Sequence, residues 1–146
     1  YRRQRQMCIR DRLGGPPLEI FGENYSTPDG TCLRDFVHVT DLADAHVRVL
    51  SRLQDGGDSG VYNVGTGSAY SVREVIQMVE KVTGHEVPTI ISPRRIGDPS
   101  SLLAASDRIQ NQLGWTPIHS DLQEIVESAW QWHQTGWHVS ATGDTG

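Results

Sequence analysis

The chain has 146 residues, a formal net charge of −5 at neutral pH and 36% hydrophobic residues. That length bounds it to one domain, or part of one, with room for a real core. The acidic balance, with no basic run after the first dozen residues, argues against nucleic acid as a partner. No apolar stretch approaches a membrane span and no signal-peptide pattern is present. Cys8 and Cys32 have no metal-ligand spacing, and the six histidines are scattered. A reduced, cytoplasmic protein without a metal is the expectation.

Tyr1-Arg2-Arg3 opens a basic stretch with neither strand nor helix period. Its end, Met7-Cys8-Ile9-Arg10-Asp11-Arg12, resembles the translation of a sequencing adapter. Residues 1–12 are therefore read as a non-native or disordered leader, residues 13–135 as the folded part, and residues 136–146 as a disordered tail. Leu18-Glu19-Ile20-Phe21-Gly22 alternates and ends in glycine, so it reads as a short strand. A polar loop leads to Thr27-Pro28-Asp29-Gly30, which suits a type I turn. Arg34 follows, just before a β-rich run, Phe36-Val37-His38-Val39. Thr40-Asp41 is expected to cap a helix whose buried face carries Leu42, Ala45, His46, Val49, Leu50 and Leu53.

Residues 54–60 form a flexible loop. Val61-Tyr62-Asn63-Val64-Gly65 reads as a brief β-rich run ending in Gly65-Thr66-Gly67. A lone Gly-x-Gly is weak evidence for phosphate binding, and glycines that let a strand turn are the better reading. Ser71 and Glu74 form a capping box before Val72, Val75, Ile76, Val79 and Val82, and Gly84 stops that helix. Pro88-Thr89-Ile90-Ile91 is a short strand. Residues 92–99 are a rigid charged loop, and Leu102-Leu103-Ala104 is apolar. Ser106 caps a short helix ended by Gly114. Ser120-Asp121-Leu122-Gln123 reads as a second capping box, before an amphipathic last helix with Leu122, Ile125, Val126, Ala129 and Trp130.

Two places set arginines beside constrained backbone: Arg34 after the turn, and Arg94-Arg95 before Gly97-Asp98-Pro99. Guanidinium is planar, forked and permanently charged, so it suits phosphate oxygens. Two such groups converging on one cleft could hold a pyrophosphate. A surface ion pair with Asp35 or Asp98 is the plainer alternative, and spacing alone leaves the two level. His38 and His46 read as hydrogen-bonded structural residues. Trp115, Trp130 and Trp132 read as packing residues, and Asp41 and Asp44 as cap and helix-dipole residues.

The run Ile20-Phe21-Gly22, Tyr25, Thr27, Asp29-Gly30-Thr31, Arg34-Asp35-Phe36-Val37-His38-Val39 and Asp41-Leu42-Ala43 resembles the C-terminal half of the UDP-glucose 4-epimerases, which are extended short-chain dehydrogenase/reductases. The resemblance is gapless there and continues to about residue 134. It implies an α/β fold: the C-terminal substrate-binding part of such an enzyme, lacking most of the Rossmann domain. It implies that Arg34 and Arg95 bind the UDP diphosphate. It places Asp98, in the run Arg95-Ile96-Gly97-Asp98, near the uridine ribose. Glu19-Ile20-Phe21 would lie along the uracil, partly through backbone groups, with Val72 near the nucleotide and Leu102 beside the sugar. Arg94 is expected to be a solvent-exposed neighbour.

For the parent protein the resemblance implies NAD as cofactor, UDP-glucose and UDP-galactose as substrates, and a homodimer. Hydride leaves C4 of the hexose for NAD, the 4-keto sugar turns while UDP stays anchored, and hydride returns to the other face. The family's Gly-x-x-Gly-x-x-Gly loop and Tyr-x-x-x-Lys pair are missing here, and Lys81 is the only lysine. The chain is therefore expected to be an inactive fragment with no catalytic, cofactor-binding or metal-binding residue of its own. Another nucleotide-sugar epimerase, a 4,6-dehydratase and a non-catalytic nucleotide-sugar-binding module stand as alternatives.

Overall fold

In chain order the elements are β1 (Leu18–Phe21), β2 (Leu33–Asp35), α1 (Val39–Gln54), β3 (Ala69–Ser71), α2 (Val72–Thr83), β4 (Thr89–Ser92), β5 (Ser101–Leu102), α3 (Asp107–Leu113) and α4 (Leu122–Gln134). The structure is a computed structural model and describes residues 17–135. The expected leader and tail lie outside the described residues.

Alternation decides β1. Leu18 and Ile20 are buried while Glu19 between them is exposed, so one face of the strand turns inward. β1 pairs in parallel with β4, Leu18 opposite Thr89 and Phe21 opposite Ser92. Parallel neighbours need a crossover, and α2 lies in it. Ile76 and Val79 of α2 pack with Leu18, Ile20, Val87 and, from α4, Leu122 and Val126 in one core. The capping box that starts α2 is present: the Glu74 N–H donates to Ser71 Oγ at 3.0 Å, and the Ser71 N–H donates to Glu74 Oε2 at 2.7 Å.

The second sheet has the order β3-β2-β5. β2 runs antiparallel to β3, Arg34 opposite Tyr70, and parallel to β5, Arg34 opposite Leu102. Here the structure corrects the sequence reading in several places. The strand after the turn is Leu33–Asp35, not residues 36–39. Thr40-Asp41 does not cap α1. His38 does, its Nδ1 accepting the Thr40 N–H at 3.1 Å, so the helix begins at Val39. Residues 61–65 form no strand. Tyr62 and Val64 instead pack against a second core of Ala45, Ile109 and Trp115. The last helix is capped by Asp121, which accepts from the Gln123 and Glu124 N–H groups. Ser120 is free for another task because Asp121 does the capping.

The expected buried face of α1 is only partly covered. Ala45 is buried, yet Leu50 and Leu53 are exposed, as are Val39 and Val47. Ala45 packs with Ile109, Trp115 and their neighbours, and the stripe so shielded is narrow. Trp115 is wholly buried, as a packing residue should be, whereas Trp132 is exposed. Asp44 does more than favour the helix dipole, because it pairs with Arg48 one turn on at 2.7 Å.

Asp41 holds the second core to α4. Its backbone carbonyl accepts the Trp115 indole N–H at 2.9 Å. Its carboxylate accepts from the Ile118 N–H (3.1 Å), the His119 N–H (2.9 Å) and the Ser120 hydroxyl (2.6 Å). Ser120 Oγ also accepts the His38 N–H at 3.0 Å, and His38 Nε2 meets Ser128 Oγ of α4 at 2.8 Å. Because His38 Nδ1 accepts a backbone N–H, Nε2 carries the proton and donates.

Burial disfavours charge on Asp41. The Ser120 hydroxyl and the Ile118 and His119 N–H groups outweigh it, and the carboxyl is held below its ordinary value. In the unfolded chain an aspartate titrates near ~3.9. The stability this group contributes is therefore complete above about pH 4 and is lost as pH falls through the lower folded value. Asp41→Asn, which turns an amide N–H toward backbone donors, should cost about 1–3 kcal/mol near neutral pH. Urea unfolding across a pH series should show the gap between the two proteins narrowing under acid. A gap that stays constant down to about pH 3 would contradict this role.

Candidate functional site

The turn before β2 is held from inside. Asp29 Oδ1 accepts the Thr31 N–H at 2.9 Å and the Thr31 hydroxyl at 2.7 Å, and Oδ2 accepts the Ser71 hydroxyl. The turn is thereby fastened to the junction of β3 and α2. Burial opposes charge on Asp29, but the Ser71 and Thr31 donors prevail, and its carboxyl too lies below the ordinary value.

β2 then delivers Arg34 and Asp35 to opposite duties. Arg34 Nη1 donates to the carbonyls of Leu33 (2.7 Å) and Pro99 (3.1 Å), and Nη2 donates to Asp98. Of the two carboxylates the sequence offered Arg34, the structure chooses Asp98. Asp35 instead accepts from the Thr66 N–H (2.9 Å), the Thr66 hydroxyl (2.7 Å), the Gly67 N–H (3.1 Å) and the Ala104 N–H (3.3 Å). Gly65 permits this approach. A Cβ there would stand 2.4 Å from Ala104 Cβ and 2.5 Å from Asp35 Oδ2.

Between these walls lies a cleft of about 410 Å³, lined by Arg34, Asp35, Asn63, Val64 and residues 102–104. Leu102 reaches it because β5 pairs with β2, and its side chain is half exposed. At the end of β1, the Arg95 guanidinium lies 3.7 Å over the Phe21 ring. Cation and ring attract through the ring quadrupole. Arg94 is solvent-exposed, as expected, and makes contacts of its own. It sits 4.0 Å over the buried Tyr25 ring and donates to the Asn24 carbonyl. Burial raises the Cys32 thiol, against the opposing pull of Arg34.

The structure thus brings Arg34, Asp98 and Leu102 together, with the Phe21–Arg95 stack on the adjoining loop. Ile96 is fully exposed at the tip of that loop, beside Gly97. Glu19 is exposed beside it on β1. The Ile20 side chain is buried in the core, so only its backbone can face a ligand. Val72 packs against the same core rather than lining the cleft. Asp35, Asn63, Val64, Leu103 and Ala104 were not expected at the site. Their contacts span 31 and 69 residues of sequence, and no local spacing signals them.

Residues 3–65 match the family described as the NAD dependent epimerase/dehydratase family. Among the relatives are UDP-glucose 4-epimerases. That of Azospirillum brasilense is 53% identical over 120 residues, covering 82% of this chain and 34% of its own. A crystal structure of UDP-glucose 4-epimerase superposes with a TM-score of 0.82 at 45% identity, covering 88% of this chain and 39% of that one. The enzyme from Bifidobacterium longum, solved with NAD+ and UDP, superposes with a TM-score of 0.73 at 39% identity, covering 84% and 36% of the two chains. The chain is therefore similar to part of these enzymes, and the α/β fold is a partial short-chain dehydrogenase/reductase fold. It spans about a third of the length of the Azospirillum relative.

The one Gly-x-Gly turn of the chain does not fit the phosphates of NAD. The chain's one Gly-x-Gly, Gly65-Thr66-Gly67, turns the N–H groups of Thr66 and Gly67 onto Asp35, so they are not offered to a phosphate. Among the described residues no cluster of three or more His, Cys, Asp or Glu is placed to hold a metal.

Asp35→Asn should destabilise the chain by about 1–3 kcal/mol, because its amide would oppose N–H donors. Gly65→Ala should act on the same contact, so the double variant should lose less than the sum of the single losses. Denaturant unfolding of the four proteins measures this. Full additivity would show that Asp35 and Gly65 are not coupled.

Proposed function

We propose that this chain is the UDP-sugar-binding part of an NAD-dependent UDP-glucose 4-epimerase that interconverts UDP-galactose and UDP-glucose, and that it is not catalytic alone. The observation that carries the reading is Arg34: a guanidinium fixed by two backbone carbonyls at the wall of the cleft, near the Phe21–Arg95 stack. Arg34 and Arg95 serve the diphosphate, and Asp98 the ribose. The backbone of Glu19 and Ile20, with Phe21, lies along the uracil. Ile96 and Gly97 shape the loop over the nucleotide, and Val72 supports the site from the core. The parent enzyme is read as a cytoplasmic homodimer.

What this part contributes to epimerisation is an anchor. A hexose whose two faces must both meet one reacting centre has to turn, so the enzyme should hold the part that does not react. Gripping the diphosphate rather than the hexose allows that turn, and binding energy from the diphosphate positions the reacting carbon. Leu102 borders the sugar end. It is smaller than tyrosine, larger than serine, and makes no hydrogen bond.

Calorimetric titration with UDP tests the reading. The chain should bind UDP, and Arg34→Met should weaken that binding by roughly tenfold or more, because charge-assisted hydrogen bonds to phosphate are lost. Unchanged affinity would remove Arg34 from the site. Purified chain mixed with UDP-galactose and NAD should form no UDP-glucose.

Leu102 sets a second expectation. A change of about one methylene in a pocket is worth only ~1–3 kcal/mol, so UDP-N-acetylglucosamine should bind measurably but less well than UDP-glucose. Leu102→Tyr should abolish the N-acetylated ligand and spare the other. Equal loss of both would show that Leu102 supports the fold instead of gating the sugar.

A further inference from the structure

Arg34 is not a bare cation. A guanidinium has five N–H groups. Nη1 gives both of its own to Leu33 O and Pro99 O, and Nη2 gives one to Asp98, so two of the five remain, one on Nε and one on Nη2. The three partners differ in kind. Leu33 and Pro99 bond through backbone carbonyls that flank paired strands, and they fix the plane of the group. Asp98 bonds through a side chain on a turn, closed by its own N–H to Arg95 O at 3.2 Å. Gly97 at φ +80° makes that turn, and Ile96 at its tip packs on nothing. Asp98 is therefore the one partner of Arg34 that can leave without unpairing a strand.

The charges around the site sharpen the point. The other carboxylate of the cleft, Asp35, is engaged by the donors of Thr66, Gly67 and Ala104 and not by Arg34. An anion approaching Arg34 thus meets one carboxylate on the same guanidinium, and like charges at that range repel. A small anion has only its charge to set against this. A nucleoside diphosphate also has a base and sugar hydroxyls, and the hydroxyls can donate to a displaced carboxylate.

We propose that Asp98 is a specificity-determining residue that competes with anions for Arg34, so that the cleft rejects bare pyrophosphate and accepts a nucleoside diphosphate. This rests on the reading of Arg34 as the diphosphate anchor. Arg34 without the carboxylate would make a general anion site. With it, affinity depends on groups beyond the phosphates.

The test is calorimetric titration of the full 146-residue chain with inorganic pyrophosphate and, separately, with UDP. Asp98→Asn and Asp98→Ala both remove the competing charge from an accessible loop, so neither disturbs the core. Both should tighten pyrophosphate by roughly fivefold, the span of a part-exposed ion pair. UDP should bind equally or more weakly, so that its preference over pyrophosphate shrinks. Pyrophosphate affinity that is unchanged or weaker in both variants overturns this inference alone. Arg34→Met separates the underlying reading: if UDP binding survives it unaltered, the anchor and the inference fall together.

Discussion

Four donors from two separate segments end on the carboxylate of Asp35. Thr66 and Gly67 come from the loop before β3, and Ala104 comes from just after β5. That carboxylate adds to the short ladders by which β3 and β5 hold these two walls to β2, a strand of three residues. Such short strands are weak alone. The half-buried side-chain acceptor does what a longer ladder would otherwise do, and Gly65 exists as glycine because the three groups meet too closely for a Cβ. Arg34 gains its fixed position from the same strand, one residue earlier.

A comparable device secures the far end of β2. Asp41 gathers the Trp115 side of the second core, and His38 with Ser120 and Ser128 ties α1 to α4. Both hubs are carboxylates satisfied by backbone N–H groups and hydroxyls rather than by cations. Such bonds are stronger than neutral ones and are costly to leave unmade. What they do not supply is cover. The outer stripe of α1, and Ile90 and Ile91 on β4, remain exposed. Such side chains are the kind of surface that further contact covers, and the chain matches only part of its relatives' length.

Much of this was legible in the sequence where the signal is local. The Leu18–Phe21 alternation, the Ser71–Glu74 capping box and the glycine stops depend on neighbours a few residues away, and they appear as read. So does the reading of His38 and His46 as hydrogen-bonded structural residues: His46 Nδ1 donates to Leu42 O at 2.7 Å. β3 and β5 were missed because two or three residues show no period. The cap of α1 was misplaced because a histidine does the work usual for Ser, Thr, Asp or Asn. The partner of Arg34 was open between Asp35 and Asp98, and only tertiary pairing, 64 residues away, decides it. The extent of burial on α1 was misjudged because periodicity gives a face but not what covers it.

We propose that the cleft beside β2 and β5, with the loop from 93 to 99, takes a nucleotide whose phosphates do not use the N–H groups of the adjoining Gly65-Thr66-Gly67 turn. Backbone amide NMR of the chain titrated with UDP tests it most directly. The account predicts shifts at residues 19–22, 32–35 and 95–104, with Thr66 and Gly67 little moved because their N–H groups stay on Asp35. Large shifts at Thr66 and Gly67 with none at Arg34 or Asp98 would contradict it.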